Sequence, residues 1–405
     1  MHYIRLLRPP KLSPSQQRMQ AELVFTITTD LGDSFLYPEA PVNLVVTAHV
    51  YTPSGDYWYE LSEHGKLQWT PGRRVAKPVF ELPPTVVSAM MSGDVVELCV
   101  GSESSFSADR VHSILTSAKD AHSQDGGRGL IMPVQVTLNG PDADDDISTR
   151  KIRLNATNEL PEYLEIEEEI GESIARHIWD AGVVALSAMV ATYKFPHLES
   201  SQHPCMQTLR RMFDSGESEM NILELGCGVG ILGTGLCAVY PRERAADCTI
   251  LMTDLDEAEG RARANIALLK HNHSGSQLGN ATILYENLNW EHGRQGRFGP
   301  EVQRRRWDLV LLSDCTYNVD VLPALVGTLS ALHEANAKQA GPAGGDARPS
   351  ATRVFLATKP RHASEKALFA LMESEGWRIL ESQVLPLPVL GAESESVEMY
   401  LFEKV

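Results

Sequence analysis

Residues 221–233 read Asn-Ile-Leu-Glu-Leu-Gly-Cys-Gly-Val-Gly-Ile-Leu-Gly, and this stretch indicates the fold of the C-terminal part of the chain. An apolar run ends abruptly at Gly226, and glycines follow at 228 and 230 before apolar residues resume at helical spacing. This pattern predicts a strand, a tight turn and a helix. Glycine permits positive φ in the turn and lets a ligand approach the backbone, so we expect a seat for a nucleotide-like cofactor. An ordinary strand-to-helix turn is the alternative, and the alternating glycines behind Glu224 argue against it.

The composition is that of a globular protein with more than one domain. The chain has 405 residues, which exceeds what a single core usually organises. Its net charge of −17 works against binding to a nucleic acid backbone, which needs a positive field. We therefore expect no nucleic-acid partner. A basic protein segment would be attracted instead.

Nothing in the sequence predicts a membrane segment or a metal site. The first residues lack the apolar run of a signal peptide, and no apolar stretch approaches membrane-spanning length. The six cysteines follow no disulfide or metal-ligand spacing. His271 and His273 lie in a polar segment that is typical of solvated side chains. We expect reduced thiols and no metal ion, in a cytoplasmic protein that could also enter the nucleus.

Residues 1–150 predict a mainly-β accessory domain, because short β-branched or aromatic runs alternate there with Gly, Pro, Asp or Ser. Strands are predicted at residues 23–28, 42–52, 57–61, 79–82, 95–100 and 133–138, and one helix at residues 108–121. The acidic run at residues 141–146 predicts a solvated linker. It places the domain boundary at about residue 150 and the second domain at residues 151–405.

The second domain predicts an α/β fold in which strands and helices alternate, as in a doubly wound sheet. A short hairpin at residues 164–174 is predicted to precede a helix at residues 179–190. Seven strands follow, at residues 221–225, 249–253, 281–285, 307–313, 354–358, 377–384 and 397–402. The loop between the last two has no room for a crossover helix, so these two strands should be antiparallel to each other.

Candidate site residues lie where the predicted strands end, which is where ligands bind in such sheets. Glu224 precedes the glycines and can orient an ammonium group, while Asp254 ends the second strand and can accept hydrogen bonds from both ribose hydroxyls. Trp290 follows the third strand and would form an aromatic wall for a base. Asp314 and Tyr317 follow the fourth strand. Asp314 could instead cap the next helix, since Asp is a favoured N-cap residue.

Two cofactors compete for the glycine turn. Residues 228–233 formally match the Gly-x-Gly-x-x-Gly fingerprint of NAD-dependent dehydrogenases. The register argues against that match, because the strand ends at Leu225 and the match begins two residues late. Glu-x-Gly-x-Gly-x-Gly is the better description, and it is the turn that holds S-adenosylmethionine in methyltransferases. The antiparallel final strand favours the same cofactor.

The region from about residue 163 to residue 405 resembles the family 16 methyltransferases, seven-β-strand enzymes that include many protein-lysine methyltransferases. Three motifs carry the resemblance: His-Ile-Trp-Asp-Ala-Gly at residues 177–182, the glycine turn, and Asp-Cys-Thr-Tyr at residues 314–317, which fits the Asp-x-x-Tyr/Phe motif of the family. The resemblance implies a Rossmann-like seven-stranded methyltransferase sheet with an antiparallel last strand. The first 150 residues lie outside it.

Carried over by position, the resemblance also implies the roles of individual residues. Those expected to line S-adenosylmethionine are Trp179, Glu224, Gly226, Gly228, Gly230, Asp254, Trp290 and Asp314. Asp314 and Tyr317 are expected to face the methyl acceptor, with Asp314 orienting an amine and Tyr317 contacting its cationic or methylated head.

The sequence as a whole predicts an S-adenosylmethionine-dependent methyltransferase that acts on lysine in a protein substrate. A small-molecule N-methyltransferase is one alternative. A non-catalytic protein that binds a partner and keeps a vestigial cofactor seat is another. The chain lacks an Asn/Asp-Pro-Pro-Tyr motif after the fourth strand, which argues against the amino groups of adenine or glutamine as acceptors.

Overall fold

The structure is a computed structural model, and it divides the chain into two compact units. It describes residues 1–15, 18–117, 129–139, 146–171, 176–214, 219–239, 247–272, 280–339, 352–390 and 395–404. Unit 1 comprises Met1–His177 and Pro386–Glu395, and unit 2 comprises Ile178–Leu385 and Ser396–Val405. No helix among the residues described is long and apolar enough to cross a membrane. All six cysteines carry free thiols.

Unit 1 is built mainly of strands, as the sequence predicts. They are β1 (His2–Leu6), β2 (Lys11–Ser15), β3 (Arg18–Glu22), β4 (Phe25–Thr29), β5 (Val42–Thr52), β6 (Gly55–Glu60), β7 (Gln68–Trp69), β8 (Val79–Glu81), β9 (Val95–Ser102), β10 (Ile131–Met132), β11 (Val134–Thr137), β12 (Ile147–Arg153) and β13 (Tyr163–Glu169). Its helices are α1 (Pro84–Ser92) and α2 (Val111–Thr116), with a 3₁₀ turn at Ser104–Phe106.

Three sheets organise these strands. The largest has the order β13-β12-β11-β9-β5-β6, and β7 also pairs with β5. The two smaller sheets have the orders β10-β1-β4 and β2-β3-β8. Along β5 every second side chain from Val42 to Val50 is buried, as a strand with one face on a core requires. These side chains pack with Trp69, whose indole nitrogen donates to the Leu36 carbonyl at 2.9 Å.

All six strands predicted in the N-terminal region are present, whereas the predicted helix at residues 108–121 is described only as α2, because residues 118–128 lie outside the described part of the chain. Residues 141–145 of the acidic run also lie outside it. The end of unit 1 differs from the boundary expected at residue 150. β12 pairs with β11 and β13, so the sheet extends unit 1 to His177. The strand expected to open a hairpin at residues 164–174 thus has its partner upstream, in β12.

A buried ion pair joins β12 to β13 inside unit 1. Arg150 and Glu168 have side chains only 1% and 2% exposed, and Nε of Arg150 donates to Oε1 of Glu168 at 3.0 Å. Arg150 also donates to the carbonyl oxygens of Met132 and Pro133. Burial alone would raise the pKa of the Glu168 carboxyl, but Arg150 above all holds that pKa well below its usual range. Glu168 is therefore ionised and depends on Arg150.

Unit 2 contains a helical layer and one seven-stranded sheet. Its strands are β14 (Met220–Leu225), β15 (Cys248–Asp254), β16 (Ala281–Asn287), β17 (Leu309–Ser313), β18 (Thr352–Thr358), β19 (Arg378–Pro386) and β20 (Ser396–Lys404). Its helices are α3 (Asp180–Lys194), α4 (Glu199–Gln202), α5 (Pro204–Asp214), α6 (Ile231–Val239), α7 (Asp256–Asn272), α8 (Trp290–Gly293), α9 (Pro300–Arg304), α10 (Leu322–Gln339) and α11 (Ala367–Ser374). The seven predicted strands are confirmed.

The sheet order of unit 2 is β16-β15-β14-β17-β18-β20-β19. The pairs from β16 to β18 are parallel, and β20 runs antiparallel to β18. The predicted α/β fold with an antiparallel last strand is therefore confirmed. The strand order reverses at β14 and β17, and ligands of such sheets bind beyond the carboxyl ends of the strands at this reversal. The glycine turn after β14 lies at that point.

The buried ion pair of unit 1 leads to a stability prediction. Arg150→Met leaves the Glu168 carboxylate buried without its main partner, so we expect a loss of about 3–5 kcal/mol in the free energy of unfolding. Urea unfolding followed by circular dichroism measures it. Arg18→Met, which removes an exposed pair with Glu81, is the matched control and should cost less than about 1 kcal/mol. Equal losses in the two variants would contradict the prediction.

Candidate active site

The glycine turn after β14 brings three loops of unit 2 together. Gly226, Gly228 and Gly230 have φ values of 68°, 53° and 86°, a region that side chains rarely adopt. A Cβ on Gly226 would lie 3.2 Å from both the Cys315 Cβ and Trp290 Cζ2. The segments that follow β14, β16 and β17 therefore meet at Gly226, and glycine is what allows this contact.

Glu224 is a buried carboxyl with one oxygen that accepts no hydrogen bond from the described residues. Its Oε2 accepts a hydrogen bond from the Gly233 backbone nitrogen at 3.0 Å. Its Oε1 is buried and accepts no hydrogen bond from the described part of the chain. Burial raises the pKa of this carboxyl to about 8, against the opposing effect of the Gly233 hydrogen bond. A donor or a cation placed at Oε1 would satisfy this oxygen and favour the ionised form.

Asp254 at the end of β15 is held by two backbone donors. Gly228 donates to Oδ2 and Leu255 donates to Oδ1, both at 2.7 Å. Burial raises the pKa of the carboxyl, and these two hydrogen bonds work in the opposite direction. A carboxylate has about four acceptor positions, so each oxygen retains capacity for one further donor. The half-buried side chain can thus accept from two hydroxyl groups at once.

Two aromatic side chains flank this region. Trp290 is half-buried at the first residue of α8, and its ring edge contacts the glycine turn. Tyr317 follows β17 and is 56% exposed. Partial burial of the side chain, and then the negative charge of Asp254, raise the pKa of Tyr317. The phenol therefore keeps its proton at neutral pH.

Asp314 caps a helix, but not the helix considered in the sequence analysis. Its Oδ2 accepts a hydrogen bond from the Ala181 nitrogen in the first turn of α3 at 2.8 Å, and its Oδ1 accepts from the Lys359 nitrogen at 3.1 Å. The 3₁₀ turn before α10 is capped by Asn318 instead. Asp314 also has φ of 48°, the one positive value at a non-glycine position among the residues described. Its carboxylate thus joins α3 to the ends of β17 and β18.

Two cations complete this group. Arg361 Nη1 donates to Asp314 Oδ1 at 2.9 Å, and the guanidinium carbon lies 5.3 Å from the centroid of the Trp179 ring. Lys359 Nζ donates to Asp180 Oδ2 at 2.9 Å, with side chains 7% and 0% exposed. Asp180, Lys359 and Arg361 are not among the site residues predicted from the sequence. Their position could have identified the two cations, because both follow a predicted strand at the same sheet edge as Asp314.

Close packing between α3 and α6 places Trp179 at the carboxyl edge of the sheet. A Cβ on Gly182 would lie 2.9 Å from Ile231 Cγ2, and a Cβ on Gly235 would lie 2.4 Å from Leu186 Cδ1. α3 therefore packs tightly against α6, the helix that follows the glycine turn. Trp179, the residue before α3, is held by this packing at the carboxyl edge of the sheet.

The two halves of the site differ in chemistry. The first half contains the open glycine turn, Oε1 of Glu224, the remaining acceptor positions of Asp254 and the ring of Trp290. These groups together fit a nucleoside that carries a free amino group. The second half contains Asp314 with its cationic partner Arg361, and the exposed ring of Tyr317. Trp179, which is expected to line the cofactor, lies against Arg361. Contacts join Gly226 to Trp290, Gly228 to Asp254, and Trp179 to Asp314 through Arg361.

A separate cleft of about 770 Å³ lies between α10 and the segment around α9. Arg294, Arg305, Trp307 and Glu334 are among its lining residues. None of the predicted site residues lines it, so the cleft is distinct from the glycine turn.

Comparison with known proteins gives one matching family, a protein of similar sequence and several solved structures with partial similarity. The model of the lysine methyltransferase family matches residues 159–375. A UPF0665 family protein of Schizosaccharomyces pombe is 24% identical over 375 residues, covering 91% of this chain and 92% of the relative. TrmN from Thermus thermophilus is 19% identical, with a TM-score of 0.30 over 49% of this chain and 48% of its own. TYW2 of M. jannaschii, solved in complex with AdoMet, is 10% identical, with a TM-score of 0.29 over 63% of this chain and 87% of its own.

Glu224 predicts a pH-dependent stability. Its carboxyl ionises near 4.5 in the unfolded chain but near 8 in the folded protein, so unfolding releases a proton between these pH values. The folded state therefore loses stability as pH rises from about 4.5 to 8. We expect Glu224→Gln, which is neutral throughout, to lose less stability than the wild type between pH 5 and pH 8.5 in urea unfolding.

The exposed Glu291→Gln serves as the control for this experiment, and it should retain the wild-type pH dependence. Identical pH dependence in the wild type and Glu224→Gln would show that the buried carboxyl does not carry the effect.

Proposed function

The chain belongs to the lysine methyltransferase family, and we propose that it transfers a methyl group from S-adenosylmethionine to a lysine side chain of a protein. That it is an S-adenosylmethionine-dependent methyltransferase follows from the family, whose model covers more than half of the chain and spans Glu224, Asp254 and Asp314. The lysine acceptor is the proposal. The family match is the observation that carries it.

The first half of the site is proposed to hold the cofactor. Asp254 would accept hydrogen bonds from the two ribose hydroxyls, and Oε1 of Glu224 would face the ammonium of the amino-acid part. Trp290 would line the base, and the open turn at Gly226 would admit the ligand next to the backbone. S-adenosylmethionine supplies the methyl group on a positively charged sulfur.

The second half of the site is proposed to receive the acceptor. Methyl transfer is an in-line displacement, so the enzyme mainly orients a neutral amine. The exposed ring of Tyr317 can contact a cationic or methylated amine by cation–π attraction. Asp314 would act on the same amine through its negative charge, from a position that three donors hold in place.

The acidic character of the chain supports a protein acceptor. A net charge of −17 attracts a basic segment and repels a phosphate backbone. We therefore propose a lysine-containing protein rather than a nucleic acid as the partner.

The direct test is methylation of a complex mixture. The purified protein is incubated with tritium-labelled S-adenosylmethionine and a lysate of cells that lack it. We expect label that protease removes and ribonuclease leaves, and mass spectrometry should place it on methylated lysine. Label confined to nucleic acid or to small molecules would contradict the proposal.

The acceptor half is tested with the same assay. Asp314→Ala and Tyr317→Phe should each lower the rate of labelling, because the first removes the buried charge and the second changes the contact with the amine. Tyr37→Phe, at another exposed tyrosine, is the control and should be unchanged. Unchanged rates in both site variants would remove these residues from the acceptor site.

The cofactor half is tested by titration with S-adenosylhomocysteine. In Gly226→Ala the new Cβ occupies a strained φ and contacts Cys315 and Trp290, so we expect at least tenfold weaker binding, equivalent to about 1.4 kcal/mol. Gly260→Ala is the matched control, since its Cβ meets no atom within 4 Å in α7. Equal affinity in the two variants would contradict a cofactor seat at this turn.

A further inference from the structure

We propose that Arg361 is a positioning residue of the transfer site, whose fixed positive charge beside Asp314 favours the neutral form of the incoming lysine amine. This inference rests on the proposed lysine acceptor. It assigns a role to a residue that the sequence motifs do not include.

Arg361 is fixed from three directions. Its Nη1 donates to Asp314 Oδ1 at 2.9 Å and to the Lys359 carbonyl at 3.2 Å, and its guanidinium lies over the Trp179 ring at 5.3 Å. Its side chain is 17% exposed. Arg361 thus lies between the residue expected to line the cofactor and the residue expected to face the acceptor.

Charged groups from each neighbouring element define the local balance. Asp180 on α3 pairs with Lys359 after β18, and Asp314 after β17 pairs with Arg361. Glu365, on the segment of Arg361 itself, accepts hydrogen bonds from the backbone nitrogens of Arg361 and His362. Tyr317 is a neutral phenol three residues after Asp314. Among the residues that the structure describes, each of these two buried carboxylates is therefore paired with a cation.

This balance decides the protonation of an amine placed beside Asp314. An isolated carboxylate would stabilise the ammonium form, which has no lone pair for attack. A guanidinium already paired with that carboxylate offsets this effect, as nearby cationic groups do for lysine nucleophiles. The ammonium loses its proton to water. The nitrogen lone pair then forms the bond to the methyl carbon, while the carbon–sulfur bond breaks and its electron pair returns to sulfur.

The experiment compares Arg361→Gln with Arg361→Lys, which keeps the charge. The rate of N-methyl-lysine formation is measured from pH 6 to pH 10, with labelled S-adenosylmethionine and the lysate of cells that lack the protein. In the plot of maximal rate against pH, we expect the rising part, or rising limb, for Arg361→Gln to lie about one pH unit higher than for the wild type. Its maximal rate should therefore be about tenfold lower at pH 7 and should recover near pH 10. The half-saturating lysate concentration should not increase. In Arg361→Lys the limb should stay near its wild-type position.

A second variant, which is expected to shift the pH profile in the opposite direction, tests the inference if Arg361→Gln folds poorly. Asp314→Asn removes the negative charge and leaves the guanidinium, so the rising limb of its pH profile should move to lower pH, while the loss of the carboxylate that orients the amine lowers the maximal rate. Titration with S-adenosylhomocysteine and thermal unfolding check that each variant is folded.

The outcomes separate this inference from the proposed function. If the wild type forms no methyl-lysine, the proposed function fails and this inference fails with it. If the wild type is active but Arg361→Gln loses the same factor at every pH, or Asp314→Asn moves the limb upward, only the role of Arg361 is overturned.

Discussion

The buried carboxylates Asp180 and Asp314 at the carboxyl edge of the sheet in unit 2 depend on two cations for their stability. An ionised carboxylate in a low-dielectric interior costs several kcal/mol unless it is paired and hydrogen-bonded. Lys359 and Arg361, both directly after β18, provide these partners. Asp314 also keeps a left-handed backbone conformation, which costs about 1–3 kcal/mol and persists only where the surroundings enforce it. In this protein the start of α3 and the end of β18 enforce that conformation. The charged group around Asp314 therefore holds α3, β17 and β18 together.

The carboxyls in the half of the site proposed to hold the cofactor are stabilised in a different way. Among the described residues, Glu224 and Asp254 accept hydrogen bonds from backbone N–H groups alone, and burial raises the pKa of both carboxyls. Such groups are satisfied by an ammonium and by hydroxyl groups, which the S-adenosylmethionine of this enzyme family carries. In the acceptor half the cations are already in place. In the proposed assignment, the first half therefore attracts the cofactor, while the second keeps an entering amine from being held as an ammonium.

Much of this arrangement could be predicted from local sequence. The strand β17 is a continuous apolar run, and the turn at Gly226 is marked by its glycines, so the sheet and the glycine turn follow from short segments. The cation partners could not be predicted in the same way. Lys359 and Asp180 are 179 positions apart, and only the topology of the sheet brings them together.

The C-terminal extent of unit 1 could not be predicted from the sequence for a related reason. β12 has the sequence Ile-Ser-Thr-Arg-Lys-Ile-Arg, whose charged residues are typical of an exposed segment. Arg150 is nevertheless buried, because Glu168 on β13 compensates its charge. A polar strand inside a sheet requires a partner that is distant in sequence, and a local pattern does not contain that information.

A crystal structure of the complex with S-adenosylhomocysteine would show where the cofactor binds. We expect the ribose hydroxyls on Asp254, the amino group at Oε1 of Glu224, and the sulfur on the side of the site that faces Asp314 and Tyr317. Density for the cofactor in the cleft beside α10, or a bound cofactor without contact to Asp254 and Glu224, would contradict this assignment.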